Sequence, residues 1–187
     1  MLRIVAGTAK GMTIRVPKSA RPTPDLVREA LFSTLGHRGY LDETDVLDLF
    51  AGSGAFGLEA ASRGVRSVTA VDVGREAVSV MTSNAKKTGL DLHIVQSKAT
   101  SFLESSAADY DVIFLDPPYA MTNDELTPVL AAAVPHLVDD GVLLVERDKH
   151  AGEPPWPAGI ALDDRRIWGD TVVWTALHAE YRRSLRA

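Results

Sequence analysis

Two stretches of the chain carry residue types whose spacing could do chemistry. The first is Asp116-Pro117-Pro118-Tyr119. It follows Val112-Ile113-Phe114-Leu115, a short, branched, uncharged run that reads as a buried strand. Proline ends sheet pairing because it has no N–H and a fixed φ, and it holds the residue before it extended. Asp116 and the Pro117 carbonyl are therefore expected in a stiff geometry at a strand's C-terminal end, where open α/β sheets place their ligands. Both are hydrogen-bond acceptors, and Tyr119 offers a flat face. Together they suit a planar ring bearing an exocyclic amine.

The second stretch is Gly52-x-Gly54-x-x-Gly57, with Asp72 about twenty residues beyond its first glycine. The glycines allow close approach of backbone to a ligand, and the two oxygens of Asp72 suit two ribose hydroxyls. This much fits NAD and S-adenosylmethionine equally. Three features tilt the choice to the latter. Asp48, four residues before Gly52, suits a ligand ammonium and would repel a pyrophosphate. The Asp116–Tyr119 tetrad is useful against an amine and has no evident use in hydride transfer. The third feature is the way the sheet ends.

The elements that must position these residues alternate. Strands are expected at Asp45–Leu49, Ser67–Val71, Leu92–Val95, Asp111–Leu115 and Gly141–Glu146. Helices are expected from Gly57 to Arg63, Arg75 to Thr88, Thr100 to Ser105 and Glu125 to Leu137. This alternation implies a parallel, doubly wound sheet. Ile160–Ile167 and Thr171–Leu177 flank Trp168-Gly169-Asp170 and read as a closing antiparallel hairpin. Ahead of the sheet, residues 3–7 and 12–16 are two branched runs around Thr8-Ala9-Lys10-Gly11, expected as a β-hairpin with Lys10 at its tip and Arg15 on a strand. A connector runs from Pro17 to Pro24. A helix then carries Leu26, Val27, Ala30, Leu31, Thr34 and Leu35 at helical spacing, with Pro24 at its first position and Gly36 and Gly39 at its end. The domains expected are 1–24, hairpin and connector, and 25–187, the α/β body.

Composition narrows the class. The chain has 187 residues, 45% of them hydrophobic, and no cysteine. Disulfides, thiolate metal sites and cysteine nucleophiles are excluded. The five histidines lack metal-ligand spacing, and no metal is expected. No leader or long apolar run is evident, so a cytoplasmic protein without membrane contact is expected. Net charge is −5, yet residues 1–24 carry Arg3, Lys10, Arg15, Lys18 and Arg21 with no acid. Basic ends on an acidic body suit local phosphate contacts, with Lys10, Arg15 and Arg21 the candidates. The C-terminal Arg182, Arg183 and Arg186 read as a solvated tail.

The segments Arg3-Ile-Val-Ala-Gly7, Arg21-Pro-Thr23, Val27-Arg-Glu-Ala-Leu-Phe32, Asp48-Leu-Phe-Ala-Gly-Ser-Gly54, Asp116-Pro-Pro-Tyr119 and Trp168-Gly-Asp170 resemble the RsmD family of bacterial methyltransferases. The glycine and tetrad pieces mark an amino-methyltransferase, and the N-terminal pieces mark this family. The resemblance implies a Rossmann-like class I S-adenosylmethionine-dependent methyltransferase fold. It implies methylation of the N2 amine of one guanine in 16S ribosomal RNA, within the small subunit or its assembly intermediate. A monomer is expected. Carried over, Asp116, Pro117 and Tyr119 are catalytic. The cofactor set is Asp48, Phe50, Gly52, Gly54, Asp72, Val73, Ala99 and Thr23, and Arg28 joins Lys10, Arg15 and Arg21 on RNA. Gln96-Ser97-Lys98-Ala99 stands where many relatives of this fold have an acid for the adenine amine, so main chain near Ala99, helped by Ser97, takes that role. The alternatives are an amino-methyltransferase acting on adenine or cytosine in DNA or on a protein amide, an NAD-dependent oxidoreductase, and a binding module without turnover.

Overall fold

The computed structural model describes residues 1–18 and 23–185. Its main sheet has seven strands: β3 (Asp45–Leu49), β4 (Ser67–Asp72), β5 (His93–Gln96), β6 (Tyr110–Leu115), β7 (Leu137–Asp148), β8 (Ile160–Trp168) and β9 (Thr171–His178). They lie in the order β5-β4-β3-β6-β7-β9-β8, the first five parallel. β9 pairs antiparallel with β7, and β8 lies antiparallel on β9 at the edge. The expected hairpin thus closes the sheet by inserting its second strand. After β3 the chain winds to one side through β4 and β5, and β6 returns to β3's other side. The C-terminal ends of β3 and β6 therefore flank the switch point, where a crevice must open.

The helices are α1 (Asp25–His37), α2 (Ala55–Ser62), α3 (Arg75–Thr88), α4 (Ala99–Ser105), α5 (Asn123–Ala133) and α6 (Ala179–Ser184). Strand alternation sorts the core into two faces. Leu47, Leu49, Ile113, Leu115, Leu143 and Val145 pack under α4 and α5. Val46, Val112, Phe114, Val142 and Leu144 pack under α1 and α2. Asp48 shares the latter parity, so it points into the α1/α2 side.

The N-terminal hairpin is shorter than expected: β1 (Leu2–Arg3) pairs only with β2 (Thr13–Ile14). The backbone between them is drawn onto α2 instead. Glu59, fully buried, accepts Val5 N–H at 2.8 Å and Ala6 N–H at 3.0 Å. Thr8 N–H reaches the Ser62 carbonyl, and Ala9 N–H reaches Ser62 Oγ. Leu2, Ile4, Ala9 and Ile14 bury against Leu58. Asn84, on α3, bonds both backbone groups of Arg15 and the Ser53 carbonyl, tying this segment to the glycine loop.

Further boundaries differ from expectation. Pro24 caps α1 from outside, and the helix runs on through Gly36 to His37. α5 stops at Ala133, because Pro135 cannot extend the hydrogen-bond ladder; a 3-10 turn over Val134–His136 follows, and β7 begins at Leu137 rather than Gly141. The start of α5 lies at Asn123, where Thr122 and Glu125 form a capping box. The basic C-terminal stretch is not all tail: α6 holds Arg182 against Asp163 at 3.6 Å. Arg186 lies outside the described residues. Among the described residues no helix is long and apolar enough to cross a membrane.

Candidate active site

The C-terminal ends of β3, β4 and β6 open into one cavity of about 1010 Å³. Its floor is the loop after β3. Phe50 there adopts φ 61°, a left-handed conformation costly for an aromatic residue. Gly52 N–H donates to Asp72 Oδ2 at 2.8 Å, and Gly74 N–H donates to Oδ1 at 2.8 Å. Each Asp72 oxygen thus spends one lone pair on its own loops and keeps another for a ligand hydroxyl. Val73 lines the rim, 60% exposed, and Ser97, Lys98 and buried Ala99 line the wall after β5.

Asp48 is 1% exposed and its Oδ2 accepts Gly57 N–H at 3.1 Å. Burial pushes its pKa up to about 7, with the nearby Asp72 charge adding to the rise and the Gly57 bond opposing it. Asp116, just past β6, is raised well above the carboxylate range by burial first, then by Glu146 and Asp48. Glu146, near the end of β7, is pushed up to about 7 by burial, against a hydrogen bond from Thr23 and the Arg28 charge. Three carboxylates therefore crowd one poorly solvated site. Such an arrangement favours a ligand that brings positive charge and N–H donors.

Beyond Asp116, Pro117 is buried while Tyr119 stands 52% exposed at the cavity mouth. Arg147 steadies this loop from behind, donating to the Met121 carbonyl at 2.8 Å. On the α1/α2 side the cavity wall is Leu31, Phe56 and Phe114, the last two rings stacked at 3.9 Å and 7°.

The expected residues separate accordingly. Asp48, Phe50, Gly52, Asp72, Val73, Ala99, Thr23, Asp116, Pro117 and Tyr119 all line this cavity. Gly54 does not. A Cβ there would meet Met81 Cγ at 2.8 Å, so at φ 75° its lack of a side chain serves the packing of α3 against the loop. Arg28, expected on the RNA and facing the site from the N-terminal appendage, does line the cavity. It is 1% exposed, and its guanidinium binds the carbonyls of Thr23 and Arg3 and the Asp25 carboxylate. Lys10 and Arg15 are exposed on the N-terminal segment. Arg21 lies outside the described residues. Sequence reasoning passed over Glu146 as a site residue. The signal for it existed: like Asp48 and Asp116, it is an acid at or near the end of an apolar strand.

The family pattern described as "Conserved hypothetical protein 95" matches residues 2–176. Ribosomal RNA small subunit methyltransferase D of Escherichia coli K12 is 34% identical over 175 residues, spanning 91% of this chain and 87% of that protein. The chain belongs to the RsmD family. A solved structure of a hypothetical protein from Thermus thermophilus superposes with TM-score 0.83 at 35% identity, covering 94% and 98% of the two chains. The ribosomal protein L11 methylase of Lactobacillus delbrueckii subsp. bulgaricus shares the fold at TM-score 0.68 and 20% identity, over 90% and 86%. The fold is that of a methyltransferase.

Proposed function

We propose that this RsmD-family protein transfers a methyl group from S-adenosylmethionine to the exocyclic N2 amine of a guanine in 16S ribosomal RNA. The observation that carries this reading is the convergence of Asp48, Asp72 and Asp116-Pro117 on one cavity of about 1010 Å³, at the upper end of the range for ligand sites. The family's small-subunit RNA relatives support the substrate class.

The residues fit the cofactor. Among the described residues Gly57 N–H is the one donor hydrogen-bonded to the buried Asp48 carboxylate, which leaves it suited to a ligand ammonium. The free lone pairs of Asp72 suit ribose hydroxyls, and Val73 and Ala99 line the same cavity, where they suit the flat faces of an adenine. When bound, S-adenosylmethionine supplies an electrophilic methyl group. The protein's contribution is to the acceptor. A guanine amine is a poor nucleophile because its lone pair is delocalised into the ring. Asp116 and the Pro117 carbonyl, accepting its two N–H bonds, favour a pyramidal nitrogen and stabilise the positive charge that grows there. The nitrogen gains a methyl and gives up a proton to the ionised form of Asp116, a form that a cationic cofactor favours and whose basicity burial and the neighbouring carboxylates increase. A base must leave the RNA stack to enter, and stacking on Tyr119 returns about 1–3 kcal/mol of that cost.

Asp116→Asn tests this assignment. Turnover with small ribosomal subunits should fall at least about 100-fold, while calorimetric affinity for S-adenosylmethionine stays within about 3-fold of wild type. An equal loss of cofactor affinity would place Asp116 in the cofactor site instead.

A further inference from the structure

We propose that Thr23 and Arg28 read the edge of the target guanine next to its amine, with the Thr23 hydroxyl accepting N1–H and Arg28 Nε donating to O6. This rests on the amine-methylation reading above and adds to it the means of choosing guanine.

The placement follows from the sheet. Leu115 pairs with Val145, so Asp116 and Glu146 are lateral neighbours one residue on. Both share parity with Phe114 and Leu144, which pack on the α1 side. There the chain before α1 meets them. Thr23 is buried, lines the cavity and donates its hydroxyl proton to Glu146 Oε2 at 2.8 Å. A hydroxyl has one proton. When Glu146 is ionised that proton is committed to it, and Thr23 offers the cavity lone pairs only. Glu146 is thus a positioning residue that fixes Thr23 as an acceptor.

Arg28 supplies the opposite polarity. Its Nη1 donates to the Thr23 carbonyl at 3.1 Å, and its Nη2 is occupied by Asp25 and the Arg3 carbonyl. Its Nε is buried without a hydrogen-bond partner among the described residues, although the side chain lines the cavity. A buried, charged N–H left unsatisfied is costly, and a ligand acceptor removes that cost.

The cavity is thus lined by acceptors, Asp116 with Pro117 and Thr23, and by an arginine whose buried Nε is a donor without a partner among the described residues. The guanine edge presents donor, donor and acceptor at N2, N1 and O6. Adenine and cytosine place a ring-nitrogen lone pair beside their amines, which would face the Thr23 lone pairs. A site built to pair with a ring N–H rejects a base lacking it far more strongly than a merely apolar pocket does.

The test uses small subunits reconstituted with RNA carrying guanine or 2-aminopurine at the methylated position. 2-Aminopurine keeps the amine but has a lone pair at N1 and no O6. Wild type should prefer guanine by about 100-fold or more in kcat/KM. Thr23→Val should lose about 10-fold or more on guanine but under about 3-fold on 2-aminopurine, so the preference narrows. Thr23→Ser should keep the wild-type preference. This proposal moves Thr23 from the expected cofactor set to the base, so affinity for S-adenosylmethionine, measured alongside, should stay within about 3-fold in both variants. Equal losses on the two bases, or loss of cofactor affinity, would overturn the proposal. If Thr23→Val does not fold, a Thr23→Ser enzyme that loses the preference overturns it equally. Wild type that methylates neither RNA overturns the underlying reading as well, and so is told apart from failure of Thr23 alone.

Discussion

At the scale of single residues, the site is defined by carboxylates kept short of partners. Asp48 and Glu146 have ordinary pKa values of 3.8 and 4.5, and both are pushed up to about 7, chiefly by burial. The sign of the consequence is fixed by linkage. As pH rises from about 4, the unfolded chain releases these protons first, while the folded protein holds them until about pH 7. The stability they contribute is full below about pH 4 and is lost as pH rises through 7. Ligand-free wild type should therefore melt at lower temperature at pH 8 than at pH 5. Asp48→Asn can still accept the Gly57 N–H but does not titrate, so its decline over that range should be shallower. The difference should be on the order of 1–2 kcal/mol, or about 2–8 °C for a chain of this size. Thermal melts of both proteins at the two pH values check this. Parallel declines would mean that Asp48 is better solvated than its burial implies.

At the scale of elements, the N-terminal segment is held by close backbone approach as much as by apolar contact. Gly7 lies at φ 82°, and a Cβ there would fall 1.8 Å from the Ser62 carbonyl oxygen. Gly11, at φ 84°, has nothing near its missing side chain. Both changes to alanine incur the left-handed backbone penalty of about 1 kcal/mol, but only Gly7→Ala must also push the segment off α2. Gly7→Ala should cost about 2–4 kcal/mol and Gly11→Ala about 1 kcal/mol, read from urea unfolding. Similar costs would show that residues 5–9 are not anchored on α2. The same segment marks where the sequence was legible and where it was not. The strand-ending acids Asp48, Asp72 and Asp116 could be read because strand, glycine loop and proline each leave a local signature. The attachment of Val5 and Ala6 to Glu59 could not, since it joins residues more than fifty apart. Nor could the proposed donor and acceptor roles of Thr23, Arg28 and Glu146, which depend on which side chain's proton or lone pair is already taken. The glycine motif was legible as a loop, but only the packing shows that a side chain at Gly54 would meet Met81.

At the scale of the whole molecule, charge and shape have to be considered together. A chain of net charge −5 does not attract RNA as a whole. The basic residues Lys10 and Arg15 are exposed on the N-terminal segment, whose continuation brings Pro17 to the cavity wall. If they hold phosphates, Lys10→Ala/Arg15→Ala should weaken RNA binding and flatten the log Kd against log salt slope by about 1–2 units. An unchanged slope from about 50 to 200 mM salt would return them to the solvated surface. The methyltransferase fold does not itself choose between RNA and protein, as the shared architecture of the L11 methylase illustrates. That choice rests on family membership and on the acceptor geometry beside Asp116. The most direct measurement is to incubate the protein with methyl-labelled S-adenosylmethionine and small ribosomal subunits from cells lacking this activity, then digest the RNA and identify the labelled nucleoside. The account predicts label in N2-methylguanosine at a single position. Label in any other nucleoside, or in a ribosomal protein and not in RNA, would contradict it.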